Sequence, residues 1–145
     1  MIKPGIVFNF LVLPLFFCSS VQADNDYVFI LKARGNPYWQ TMADGINDAA
    51  KRLNVNAQIY FQENDAAAES QLNQCETVIG KNPKALIISA VNPNVGVRCL
   101  KQAQAKGIVI GEMDSTIKFS DARAAGVTLN FSVGSDNFLI GQSIL

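Results

Sequence analysis

Short apolar runs alternate with longer amphipathic segments along most of this 145-residue chain. Each run is too short for a helix and suits a buried strand, whereas the segments between them repeat apolar residues at helical spacing. The expected strands are 27–33, 57–62, 84–89, 108–113 and 126–131. This alternation predicts a doubly wound α/β domain, a parallel sheet covered on both faces. For such a domain, 2-1-3-4-5 is the common strand order.

Helix starts are marked by two Asn-Pro pairs, Asn36-Pro37 and Asn92-Pro93. In each pair the asparagine can cap a helix and the proline takes its first position. The expected helices are 37–53, 65–79 with Asp65 as cap, 93–106, and one that begins at 135–136. The last of these reaches the chain end while its apolar face is unmatched, so we expect the chain to be truncated.

The N-terminal residues differ in pattern from the rest. Lys3 is followed by an apolar run at 6–17 and by small residues up to Ala23. This pattern predicts a secretory signal peptide, residues 1–23, cleaved to leave 24–145 in the periplasm. A membrane anchor is the alternative, but the run is shorter than the ~20 residues that span a bilayer. Lipidation at Cys18 is disfavoured by the bulky residues before it.

Charge and composition exclude several functions. The chain carries 12 basic and 12 acidic residues and no histidine. Without a basic stripe, nucleic acid is not an expected partner. Without histidine, the commonest general base and the commonest metal ligand are missing. We therefore expect a protein that is not an enzyme and that uses no cofactor or metal.

Two cysteines, Cys75 and Cys99, remain after signal cleavage. They form either a disulfide or two buried thiols. An even number of cysteines in an oxidising compartment favours the bridge, which would stabilise the fold by ~3 kcal/mol.

Ligands of an open parallel sheet bind beyond the carboxyl ends of its strands. Asn36 and Asn92 follow the first and third strands, although helix capping alone explains each of them. Tyr38 and Trp39 are adjacent on a helix, so at least one faces the crevice or solvent. Aromatic faces beside hydrogen-bonding groups suit sugars.

Two charges end apolar strands, Lys32 on the first and Asp114 on the fourth. A lysine and a carboxylate at this edge can donate to and accept from ligand hydroxyls. The alternative is a salt bridge between them, or solvation at the strand ends.

The ordered set of these motifs, with Met113-Asp114-Ser115 and Gly134-Ser135-Asp136-Asn137, resembles the ribose-binding family of type 1 periplasmic binding proteins. The resemblance implies the first of two α/β lobes that close on a sugar delivered to an ABC permease, and thus an incomplete lobe at 24–145. The implied sugar contacts are Asn36, Tyr38 and Asp114, with Trp39 as an aromatic wall and Lys32 as a further polar contact, and Asp136-Asn137 is expected to have a structural or rim role. Two further candidate contacts are Asn92, at the lip of the crevice, and Ser115, which follows Asp114.

One departure from the family concerns Ser115, because many members carry an arginine there. The sequence therefore leaves the sugar open. It also leaves open a sensing role, in which the same fold serves a histidine kinase or chemoreceptor. A receiver-like enzyme is disfavoured, because this chain lacks the acidic cluster that would hold magnesium. A repressor effector domain is disfavoured, because no helix-turn-helix precedes the first strand.

Overall fold

The computed structural model describes residues 27–64, 67–114 and 117–143. The expected signal peptide at 1–23, Asp65 and the candidate contact Ser115 lie outside the described residues. The predicted start of the second helix at Asp65 is wrong, because that helix begins at Ala68 with Ala67 at its N-cap position.

Strands and helices alternate along the described chain. The elements are β1 (Tyr27–Ala33), α1 (Pro37–Leu53), β2 (Ala57–Gln62), α2 (Ala68–Gly80), β3 (Ala85–Ile88), α3 (Pro93–Ala105), β4 (Val109–Met113), α4 (Phe119–Ala124), β5 (Phe131–Val133) and α5 (Asn137–Gln142). The bounds of β1, α1 and β2 agree with the sequence-based prediction, because a clear apolar run or a capped helix defines each of them.

The sheet has the order β2-β1-β3-β4-β5, and all of its strand pairs are parallel. The predicted doubly wound α/β fold and its strand order are therefore confirmed. All carboxyl ends lie at one edge, and β3 separates β1 from β4 there. A residue at the end of β1 must reach across the end of β3 to meet one at the end of β4.

Helices cover both faces of the sheet. On one face, α2, α3 and α4 enclose a core that includes Ile30, Ile88 and Ile110. On the other, α1 packs through Trp39 and Ala43 against residues of β1, β3 and β4. This division follows from the pleat, since successive side chains of a strand point to opposite faces.

The predicted position of the fifth strand, 126–131, is wrong: β5 runs over Phe131–Val133. Side chains hold most of the preceding backbone, and one backbone bond, from the Asn130 N–H to the Ile110 carbonyl at 3.0 Å, joins it to β4. The Thr128 N–H donates to Gln104 Oε1 at 2.7 Å, and the Asn130 side chain accepts from the Ile110 N–H at 2.9 Å. Val127 and Leu129 are buried in the core all the same, which is why the apolar pattern is strand-like. The short helix α4 before this segment is absent from the sequence-based prediction.

Candidate functional site

The two segments expected to form the site meet at the carboxyl edge of the sheet. The Tyr38 hydroxyl lies 3.3 Å from Asp114 Oδ1, although 76 residues separate them in sequence. Lys32, six residues before Tyr38, places its Nζ 3.1 Å from Asp114 Oδ2. The structure thus brings Lys32, Tyr38 and Asp114 into one cluster, hereafter the rim cluster.

Asp114 is the centre of the rim cluster, because each of its carboxylate oxygens accepts a hydrogen bond. Its backbone has φ 73°, the left-handed region that aspartate enters more readily than most residues. The Asp114 N–H donates to the Val133 carbonyl at 2.8 Å. The end of β5 therefore anchors the chain where it turns out of β4 and presents the carboxylate.

Lys32 is mostly buried, with 16% of its side chain exposed. Its ammonium lies 5.1 Å from the centroid of the Trp39 ring, within reach of a cation–π attraction. With Asp114 it forms a salt bridge across the end of β3. The structure therefore realises the salt-bridge alternative, and ligand contact by these two groups stays a prediction.

Of the two adjacent aromatic residues at the start of α1, one is exposed to solvent and the other is buried. Tyr38 is 48% exposed, whereas Trp39 is 3% exposed and belongs to the core under α1. The two rings meet edge to face, with centroids 4.7 Å apart. The prediction of an open aromatic wall at Trp39 is therefore corrected: Tyr38 is the exposed ring, and Trp39 supports Tyr38 and Lys32 from below. Packing of the core-facing stripe of α1 decides which of the two turns inward.

The two asparagines act as helix caps. Asn36 accepts from the Tyr38 N–H at 3.0 Å, which orders the chain directly beside the rim cluster. Asn92 accepts from the Val95 N–H at 3.0 Å. Its side chain also lines a groove between α2 and α3 that includes Glu69 and Arg98. For Asn92 the capping interpretation is the one that the structure displays, and a ligand contact stays a prediction.

The rim cluster alters the acidity of Tyr38. Desolvation by burial raises the pKa of its phenol above the ordinary 10.0, and the charge and hydrogen bond of Asp114 raise it further. All three effects favour the neutral phenol over the charged phenolate beside the carboxylate. At neutral pH Tyr38 is therefore a hydroxyl that donates to Asp114.

Sequence reasoning missed Gln71, a fully buried residue of α2. Its Nε2 donates to the Ser89 carbonyl at 3.0 Å, and its Oε1 accepts from the Val91 N–H at 2.9 Å. Gln71 thereby holds the loop between β3 and α3. A signal was present, because positions 71, 75, 78 and 79 share one helical face. Leu72, the apolar neighbour of Gln71, is only partly buried.

Glu112 was also missed. It is fully buried in β4, and its Oε2 accepts from the Ser132 hydroxyl at 2.7 Å. Its Oε1 accepts from the Ile117 N–H at 3.4 Å. The carboxylate thus joins β5 to the segment just after Asp114, and it supports the turn that presents the rim cluster. Its sequence signal was a lone acid inside an apolar strand.

The described residues contain neither a metal-binding cluster nor a membrane-spanning helix. At 27–64, 67–114 and 117–143, no group of three or more His, Cys, Asp or Glu residues is placed to hold a metal ion. Within the same part of the chain, every helix is too short or too polar to span a membrane.

Comparison with known proteins places these features in a family context. The family described as periplasmic binding protein domain matches residues 27–145. The D-allose-binding periplasmic protein of Escherichia coli (strain K12) is 30% identical over 127 residues, which are 88% of this chain and 41% of that protein. The D-apiose import binding protein of Actinobacillus succinogenes is 25% identical over 123 residues, 84% of this chain and 39% of its own length. This chain thus spans about two fifths of the length of these curated relatives.

Among solved structures, a periplasmic solute binding protein of an ABC transporter from Actinobacillus succinogenes, determined with bound D-allose, is 26% identical with a TM-score of 0.67. The alignment covers 77% of this chain and 38% of that one. A sugar-binding protein of a sugar ABC transporter from Bacillus halodurans is 27% identical with a TM-score of 0.68, over 81% of this chain and 38% of its own. The fold and the sequence thus point to the same class of protein.

Proposed function

Because the chain belongs to the periplasmic binding protein family, we propose that it binds a monosaccharide or similar small polyol as the substrate-binding component of an ABC-type sugar importer. The names of its relatives support this assignment: they include a D-allose-binding periplasmic protein, a D-apiose import binding protein, and solute- or sugar-binding proteins of ABC transporters. They are binding proteins, and we propose no catalytic step for this chain.

The rim cluster is the observation that carries the proposal. A carboxylate, an ammonium and a phenol converge at the edge where parallel α/β sheets bind ligands. Sugars offer rigidly directed hydroxyls to such groups and an apolar ring face to an exposed aromatic such as Tyr38. Asn36 stands at the same edge as a further donor and acceptor.

The described residues supply one side of a cleft. A ligand held from one side keeps more of its contact with water and makes fewer hydrogen bonds than an enclosed ligand. We therefore expect this chain to bind sugar with a Kd of about 1 mM or weaker.

Export and an internal disulfide complete the proposal. We propose that residues 1–23 are removed as a signal peptide and that residues 24–145 reach the periplasm, which the mass of the exported product would test. Cys75 of α2 and Cys99 of α3 are fully buried, with Cα atoms 5.9 Å apart. This spacing is typical of a disulfide, and we propose that the bridge forms after export.

The binding proposal is tested by ¹⁵N nuclear magnetic resonance titration with D-allose, D-ribose and D-arabinose up to saturation. We expect shifts at the amides of Asn36, Tyr38 and Asp114 for at least one sugar, and their loss in Asp114→Asn. Asp48→Asn is the matched control, because Asp48 is an exposed aspartate on α1 whose ion-pair partner among the described residues is its helix neighbour Arg52. Shifts that stay away from the rim cluster for every sugar would refute the proposal.

A further inference from the structure

The carboxylate of Asp114 is already engaged on both oxygens by groups of the protein itself. Lys32 donates to Oδ2, and the Tyr38 hydroxyl donates to Oδ1. A carboxylate offers about four lone-pair sites on its two oxygens. A ligand hydroxyl that approaches Asp114 must therefore share each oxygen with a donor that is already in place.

The Tyr38 donor is held in position from two sides. Its backbone N–H is fixed by the Asn36 side chain at 3.0 Å, and its ring stands on the edge of the buried Trp39 ring at 4.7 Å. Tyr38 is nevertheless 48% exposed, so its phenol borders the space from which a ligand reaches Asp114. The raised pKa keeps this hydroxyl protonated, and hence a donor, over the physiological range.

The Lys32 donor approaches from the other side. Its ammonium lies over the Trp39 ring and bonds Oδ2, and its side chain is mostly buried. The two protein donors therefore differ in how they meet a ligand. The Lys32 side chain is mostly buried, whereas the Tyr38 side chain is about half exposed and is therefore the donor that a ligand meets first.

We infer that Tyr38 is a specificity-determining residue whose hydroxyl takes the place of one ligand hydroxyl on Asp114. The inference rests on the proposed sugar-binding function and names the class of sugar that this site accepts. A sugar that lacks a hydroxyl at the position facing Oδ1 fits beside the phenol. A sugar that carries a hydroxyl there gains little from it, because the phenol already donates to the same oxygen, so wild type does not distinguish the two sugars.

Tyr38→Phe removes this donor and leaves the aromatic ring in place. In the variant, Oδ1 is open to a ligand hydroxyl, and a hydrogen bond to a charged acceptor is gained. A bond of that kind corresponds to about ten- to a hundredfold in affinity. The sugar that carries the hydroxyl should gain this factor over its deoxy analogue, whereas wild type should bind the two almost equally.

The experiment compares Kd values from the same titrations for D-allose, D-ribose and D-arabinose, each with its set of monodeoxy analogues. For one deoxy position, we expect the ratio of the Kd of the analogue to that of the parent sugar to rise about ten- to a hundredfold in Tyr38→Phe. Tyr27→Phe is the matched control, since it removes a phenol at the opposite end of β1. It should keep the wild-type ratios.

Two outcomes would overturn the inference, and they are distinguishable. If wild type binds sugar at the rim cluster but every ratio is the same in Tyr38→Phe, Tyr38 does not select the ligand and the proposed function stands. If none of the sugars binds to wild type, the proposed function fails and the inference fails with it.

Discussion

Asp114 combines a structural role with the ligand contact that we propose for it. Its carboxylate accepts from Lys32 and Tyr38, while its backbone occupies the left-handed region. The pair with Lys32 lies partly out of water, where an ammonium without a counter-charge would be costly. The same carboxylate that we propose to bind sugar therefore also neutralises a charge at the end of β1.

The raised pKa of Tyr38 gives a pH prediction. The phenol loses its proton at higher pH in the folded chain than in the unfolded chain, whose ordinary value is 10.0. Between these two pKa values the folded state holds more protons, so the stabilising contribution is complete below pH 10.0 and is lost as pH rises above it. The titration of Tyr38 alone is obtained by subtracting the tyrosinate absorbance of Tyr38→Phe from that of wild type at each pH. The midpoint of this difference curve should lie above pH 10.0.

Asp114→Asn should lower the midpoint of that difference titration, because it removes the negative charge that opposes ionisation of the phenol. Desolvation remains in the variant, so part of the elevation should persist. A midpoint that does not change on loss of the carboxylate would show that Asp114 has no influence on Tyr38 in solution.

At the scale of elements, α3 is set close to the sheet edge by Gly96. A Cβ added at this position would lie 2.7 Å from the Ala90 Cβ and would also collide with the Ile117 side chain. Ala90 follows β3, and Ile117 follows the turn at Asp114. The absence of a side chain at Gly96 thus lets α3 pack against both loops of the carboxyl edge.

Gly96→Ala should lower the free energy of unfolding by about 1–3 kcal/mol, the usual cost of overpacking a core. The Ile117 side chain can rotate away, but the Ala90 methyl is attached directly to the backbone and cannot. Gly45→Ala in α1 is the matched control, since its added Cβ meets nothing within 4 Å. It should raise stability by about 0.5–1 kcal/mol through helix propensity. Urea denaturation measures both, and equal effects would contradict the packing argument.

At the scale of the molecule, one core joins the sheet to three helices, and the cysteine pair lies inside it. Cys75 and Cys99 stand where α2 and α3 face each other, 24 residues apart in sequence. A bridge between them restricts the unfolded chain more than the folded one. The proposed disulfide therefore stabilises the layer that carries the β3–α3 loop.

Reduction of the bridge should lower the free energy of unfolding by about 3 kcal/mol, according to the loop-entropy estimate. Denaturation of the protein with and without reductant measures this difference. The Cys75→Ala/Cys99→Ala double variant is the control, because it should respond to reductant no further. Two free thiols detected by alkylation of the unfolded, unreduced protein would rule the bridge out.

Local patterns carried most of the fold prediction. The Asn36-Pro37 cap and the apolar runs define β1, α1 and β2 through interactions within a few residues. The predicted bounds of these three elements agree with the structure. The fifth strand was misplaced because Gln104 and Asn130 hold the chain before it through long-range side-chain bonds. Periodicity along one segment contains no information about such bonds.

The sequence by itself determined the kind and order of the elements other than α4, since helix and strand periodicity and capping are local properties. It also showed that Lys32, Tyr38 and Asp114 stand at strand or helix ends on one edge. Only the tertiary structure decided that they touch across the end of β3, and that Trp39 turns into the core while Tyr38 stays outside. Those outcomes depend on how α1 packs and where β4 turns, and both are set by contacts between residues far apart in the chain.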